Sequence, residues 1–94
     1  MTHEIKSHPE VFDSRWEGIK PWEMRLNDRK YGVRDFLHER EWSPVTERYT
    51  GRSILSRIIL LYDGRSAWAR KFGIPRTHCI MTVETIAKGP QVEP

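Results

Sequence analysis

The stretch Gly18-Ile-Lys-Pro-Trp-Glu-Met-Arg-Leu-Asn-Asp-Arg29 changes its hydrophobic period part-way through, and that change decides the class of fold. From Trp22 onward, Trp22, Met24 and Leu26 alternate with Glu23, Arg25 and Asn27, the period of two that gives a strand one apolar and one polar face. Upstream the period is helical. Pro9 suits a first helical turn because its missing N–H has no partner there, and Glu10 complements the positive helix end. Val11, Phe12, Trp16 and Ile19 recur at helical spacing before Gly18, which predicts a helix over 9–17 whose apolar stripe packs on a sheet.

Working outward, His3 to Ser7 reads as a short first strand, and Asn27 to Gly32 as a turn-rich link to a strand over Phe36 to Trp42. Ser43 to Gly51 reads as a long hairpin connection. Arg52 to Tyr62, with Ile54, Leu55, Ile58, Ile59, Leu60 and Leu61, approaches the continuous apolar run of a central strand. Asp63 to Pro75 reads as a connection with a helical turn near Ala67 to Lys71, and His78 to Ile86 as the last strand. The expectation is an α+β fold: a β-barrel-like sheet of about five to six strands, with one helix after the first. It predicts a single domain over 1–86 and a flexible C-terminal tail over 87–94.

At 94 residues there is room for one modest core. Four Trp, three Tyr and three Phe are expected to supply much of it. Sixteen Lys and Arg against thirteen Asp and Glu leave a net charge of +3, a mild bias toward an anionic partner. The single Cys79 cannot form an internal disulfide, which fits a reducing, cytoplasmic setting, and it reads as a small core residue. Met1 to Lys6 lacks an apolar signal region, and Ile58 to Leu61 is too short to span a bilayer, so no membrane partner is expected. His3, His8, His38 and His78 form no metal-ligand spacing with Cys79, so neither a metal nor another cofactor is expected.

The densest polar constellation lies in the opening stretch. Glu23, Arg25 and Asn27 on one strand face set a carboxylate, a guanidinium and an amide to converge on one ligand, the groups that hydrogen-bond a base edge or phosphate. Lys20 sits where a bulge brings its ammonium into the same cleft. The alternative is a solvated strand face with surface ion pairs. Tyr49, Thr50 and Arg52 end the long loop, where a ring beside a guanidinium suits a base or a phosphate, or simply an ordinary turn at Gly51. Trp68, between Arg65 and Arg70, is the Trp expected to be exposed, and Arg65, Arg70, Lys71 and Arg76 form either an electrostatic rim or a solvated loop.

Gly18, Lys20, Glu23 and Arg25 form a G-x-K-x-x-E-x-R pattern similar to the signature of ASCH domains, members of the PUA-like superfamily of RNA-associated β-barrels. The chain resembles small ASCH-like proteins of bacteria and phages over about residues 3 to 86. The likeness extends to H-E-I-K at His3 to Lys6, N-D-R at Asn27 to Arg29, E-W at Glu41 and Trp42, and Y-T-G-R at Tyr49 to Arg52. It implies a PUA-like pseudobarrel with a helix at its mouth, a pocket lined by the G-x-K-x-x-E-x-R segment, and a role in RNA or modified-nucleotide metabolism in the cytoplasm of a bacterium or of a phage's host. Some ASCH-like proteins hydrolyse acylated cytidine nucleosides with a Lys near a catalytic Thr and a Glu. Lys20 matches that Lys, and Glu23 stands where the Thr would be.

Three functions follow as expectations. The first is binding of RNA or a modified nucleotide through Lys20, Glu23, Arg25, Asn27, Asp28, Arg29, Tyr49, Thr50 and Arg52. The second is an amidohydrolase for acylated cytidine, with Glu23 as general base and Lys20 or Arg25 on the oxyanion. The third is a protein–protein adaptor or inhibitor, which requires an exposed apolar patch.

Overall fold

Five strands form one mixed sheet in the order β1 (Thr2–Ser7), β3 (Phe36–Ser43), β4 (Arg48–Asp63), β5 (His78–Pro90), β2 (Trp22–Leu26). The computed structural model describes residues 1–90. β1 runs parallel to β3, and the other pairings are antiparallel. A parallel neighbour needs a crossover, and the chain makes it through helix α1 (Pro9–Trp16) and β2. A second short helix, α2 (Ala67–Lys71), lies between β4 and β5.

The long strands β4 and β5, of sixteen and thirteen residues, carry the curvature. Their register shifts between Leu55 and Ser56 and between Ile58 and Leu60, and that of β3 with β4 shifts between Arg40 and Trp42. Each bulge bends its strand and increases the local twist, so the sheet curls into a half-barrel. The two edge strands β1 and β2 thereby approach each other without pairing. Side chains bridge that seam: Arg25 Nη2 donates to the Lys6 carbonyl at 3.1 Å and to Ser7 Oγ at 3.0 Å, and Arg29 donates to the Glu4 carbonyl.

The concave side is apolar at one end and ionic at the other. Ile5, Tyr31, Leu37, Ile58, Cys79, Met81 and Val83 form the core cluster. Beyond it, Ser7, Arg15, Glu23, Glu39, Glu41, Ser53 and Ser56 are buried as well. Alternation explains both sets: β3 turns Leu37, Glu39 and Glu41 inward in succession, and β1 turns His3, Ile5 and Ser7. On β2 the inward face is the polar one, with Glu23 buried and Trp22, Met24 and Leu26 exposed.

Several sequence expectations are corrected here. Ser43 to Gly51 is not a long connection: Ser43 pairs with Arg48 and Trp42 with Tyr49, leaving a four-residue turn at 44–47. Its polar residues concealed a strand because ladder pairing uses only backbone groups. The flexible tail over 87–94 also fails over 87–90, where Gly89 and Pro90 read as chain breakers but Ala87, Lys88, Gly89 and Pro90 pair with Leu55, Ile54, Ser53 and Arg52. Residues 91–94 lie outside the described residues. α1 buries Phe12 and Arg15 and leaves Val11 exposed, so its inner face is half ionic. No Trp is fully buried, and the core aromatics are Phe12 and Tyr31.

Candidate functional site: an ionic cleft in the barrel seam

The open seam between β1 and β2 is a cleft of about 430 Å³, lined by Lys6, Ser7 and His8 on one side and by Lys20, Glu23, Met24, Arg25 and Leu26 on the other. Glu23 forms its floor at 2% exposure. Lys20 Nζ donates to Glu23 Oε1 at 3.2 Å, and Arg25 Nε donates to Glu23 Oε2 at 2.7 Å. Gly18, with φ of 79°, and the turn that follows α1 put Lys20 there: the amides of Ile19 and Lys20 both donate to the Ser14 carbonyl. Arg25 follows Glu23 by two residues on β2 and shares its face.

A second carboxylate lies deeper. Ser7 Oγ donates to Glu39 Oε2 at 2.7 Å, and Arg15 Nε donates to Glu39 Oε1 at 3.3 Å. Arg15 is locked by two further bonds, Nη2 to Ser56 Oγ at 2.6 Å and Nη1 to the Lys20 carbonyl at 3.0 Å. Burial, reinforced by the nearby charge of Glu23, holds the Glu39 carboxyl above its ordinary range, while Ser7 and Arg15 oppose that rise. A continuous chain of polar contacts thus runs Glu39–Ser7–Arg25–Glu23–Lys20 from the interior to the cleft. Above the cleft, Lys6 Nζ lies 4.6 Å from the Trp42 ring centroid and His8 stacks on the same ring.

The structure therefore brings Lys20, Glu23 and Arg25 into one cleft and places the other expected site residues elsewhere. Asn27 lies past the end of β2, its Nδ2 on Asp63 Oδ2 at 3.3 Å, and lines two other cavities. Asp28 and Arg29 face each other at 4.0 Å, with Arg29 spent on the seam. Thr50 and Arg52 are turned onto Glu41: Thr50 Oγ1 donates to Oε1 at 2.6 Å, and Arg52 Nη2 donates to Oε2 at 2.8 Å. Arg52 also reaches Asp13 at 2.7 Å, tying α1 to the β3–β4 hairpin and holding the Glu41 carboxyl below its usual range. Tyr49 lies under the Arg40 guanidinium at 3.7 Å. Among the described residues, no three His, Cys, Asp or Glu side chains cluster as metal ligands would.

Sequence reading missed Ser7, Arg15 and Glu39. A signal for Glu39 was present, because Leu37 and Glu39 share a strand face and the first of them is apolar enough to set that face inward. Arg15 lies at i+3 from Phe12 on the helix, the spacing of one face. Ser7 carried no signal beyond its place in the strand.

A curled mixed sheet with a helix after its first strand and an ionic cleft in its open seam defines the chain as a small α+β half-barrel. Residues 2–83 match the family described as Domain of unknown function (DUF3850), and the chain belongs to that family. It is also 43% identical over 61 residues to a protein of Escherichia phage P2 described as an uncharacterized 12.9 kDa protein in the GpA 3′ region. That match takes in 65% of this chain and 54% of the phage protein, so it spans about half the length of the relative. No helix among the described residues is long and apolar enough to cross a membrane.

Proposed function

We propose that the chain is a PUA-like pseudobarrel of the ASCH type, working in the cytoplasm, whose seam cleft binds RNA or a modified nucleoside. The observation that carries this reading is Glu23, buried at the floor of an open cleft between two cations. An ionised carboxylate has about four lone-pair positions, so two engaged cations leave acceptor capacity for an exocyclic amine. Lys6, Lys20 and Arg25 around it suit carbonyl or phosphate oxygens of the same ligand. The cleft volume lies within the range of small-molecule sites.

Hydrolysis of an acylated cytidine nucleoside is the second reading, favoured by the 3.2 Å contact between Lys20 and Glu23 under low exposure. In that reaction Glu23 takes a proton from water, the hydroxide adds to the acyl carbon with Lys20 or Arg25 on the oxyanion, and the acyl C–N bond then breaks as Glu23 returns the proton to the leaving cytidine amine, releasing the carboxylic acid. Both Glu23 oxygens are already on cations, which suits ligand binding better than proton abstraction.

Calorimetric titration with cytidine, acetylated cytidine and short RNA tests the first reading, and mass spectrometry of the same mixtures tests the second. Binding lost in Lys20→Ala without turnover supports the binding reading. Turnover lost in Glu23→Gln supports the hydrolase. Wild-type protein that neither binds nor converts any of these overturns both.

A further inference from the structure

α2 is oriented against the usual logic of a packed helix. Ala69, one of its two alanines, is fully buried, while Trp68 is 51% exposed and Phe72, at i+4 on the same face, is 67% exposed. Tyr62 at the end of β4 completes a surface row, with ring centroids 4.6 Å from Tyr62 to Trp68 and 4.5 Å from Trp68 to Phe72. Ser66 caps the helix and fixes that orientation, accepting from the Ala69 amide at 3.1 Å. Packing within the chain does not account for leaving the larger rings outside.

The charge around the rings chooses the occupant. Gly64 to Thr77 contains Arg65, Arg70, Lys71 and Arg76 and no Asp or Glu. Arg65 is engaged by Asp63 at 2.7 Å, and among the described residues no acidic side chain pairs with Arg70, Lys71 or Arg76. The same segment lines a cavity of about 290 Å³ with Arg65 and Arg76, ending at Asn27. The buried Oδ1 of Asn27 has no hydrogen-bond partner, and the bond from its Nδ2 to Asp63 fixes which way the amide faces. Four cations and no acid over 64–77 give the surface around three exposed rings a field of one sign, which an anionic partner complements. Unpaired guanidinium and ammonium groups beside a row of exposed, mutually tilted rings suit a polyanion that carries flat apolar groups.

We propose that Tyr62, Trp68 and Phe72 are a stacking platform for the unpaired bases of single-stranded nucleic acid, with Arg70, Lys71 and Arg76 on its phosphates. The platform uses none of the cleft's residues, so each reading can fail without the other. Stacking supplies sequence-tolerant affinity, and the cations supply its salt dependence.

The test is fluorescence anisotropy of a labelled ten-nucleotide oligouridylate and its DNA counterpart, titrated with the full chain at several salt concentrations. Three phosphate contacts predict a slope of log K against log salt of about −2. Trp68→Ala and Phe72→Ala are each expected to weaken binding at least about fivefold. Arg70→Glu with Lys71→Glu should abolish binding at moderate salt. Phe72→Ala should leave the binding of acetylated cytidine in the cleft unchanged by calorimetry, which separates this platform from the cleft. Both Phe72→Ala and the charge reversal alter exposed side chains, so they test the proposal even if Trp68→Ala unfolds α2. Wild-type affinity in folded Phe72→Ala and Trp68→Ala protein overturns the platform. So does absence of oligonucleotide binding in the wild type, including the case where the rings instead mediate self-association or protein docking.

Discussion

Replacing Arg15 by Met keeps an unbranched stem on the inner face of α1 and removes the guanidinium that holds the interior together. Arg15 is 2% exposed and donates to Glu39, to Ser56 Oγ and to the Lys20 carbonyl. Removing one partner of a buried ion pair leaves an uncompensated charge, a loss of about 3–5 kcal/mol. A domain of this size has a total stability of about 5–14 kcal/mol, so the variant should lie near the edge of folding. The loss should also depend on pH in a direction the site dictates. The Glu39 carboxyl is held above its unfolded value of about 4.3, so its protonation favours the folded state at low pH. That contribution declines as pH rises through the folded value. Arg15 opposes the rise, so without it the folded value climbs further and the penalty grows from pH 5 to pH 8. Urea unfolding at both pH values measures the effect, and the double variant Arg15→Met with Glu39→Gln should recover more than half of the loss at pH 8. A loss below about 1 kcal/mol at pH 8, or equal losses at the two pH values, would refute the buried carboxylate as the source.

Three further outcomes are expected. Arg52→Ala removes the partner of buried Glu41, and the 38% exposure of Arg52 to screening water limits the loss at pH 7 to about 1–2 kcal/mol. Because Glu41 is held below its usual range, its stabilisation is present above about pH 4.3 and is lost as pH falls through the folded value. Melting curves of wild type and variant should accordingly converge in acid. Gly64→Ala places a Cβ 1.8 Å from the Pro75 carbonyl oxygen and 2.7 Å from that of His78, both backbone atoms that cannot yield cheaply. It should cost about 3 kcal/mol in urea and disturb the segment that carries α2, visible as a change in Trp fluorescence. Burial excludes Cys79 from solvent and pushes its thiol up to about 11, so native protein should resist iodoacetamide at pH 8 and react quickly in urea, as followed by intact mass.

Much of the architecture was legible because it rests on local patterns. The period of two over Trp22 to Leu26, Pro9 at a helix start and the apolar density of Ile54 to Leu61 each depend on side chains a few residues apart. The helical turn at Ala67 to Lys71 and the exposure of Trp68 were legible too, since small and charged neighbours left that ring little chance of a complete shell. The hairpin at 44–47 and the strand over 87–90 were not, because ladder pairing between backbones leaves no trace in the polar residues of the one or the Gly and Pro of the other.

The site divides along the same line. Lys20, Glu23 and Arg25 belong to one short segment, and their alternation alone put the carboxylate and the guanidinium on one face. Whether that face turns toward water or inward depends on Glu39, Arg15 and Ser7, which are neighbours only because β1 and β2 become the two edges of one curled sheet. Local sequence therefore determined the helix, the strands and the polar face, which follow from covalent spacing and backbone geometry. Tertiary structure alone decided which way that face points and what meets it there, because the bulges in β4 that bring the two edges near each other and the burial of the ionic groups between them arise from contacts between residues far apart in the chain.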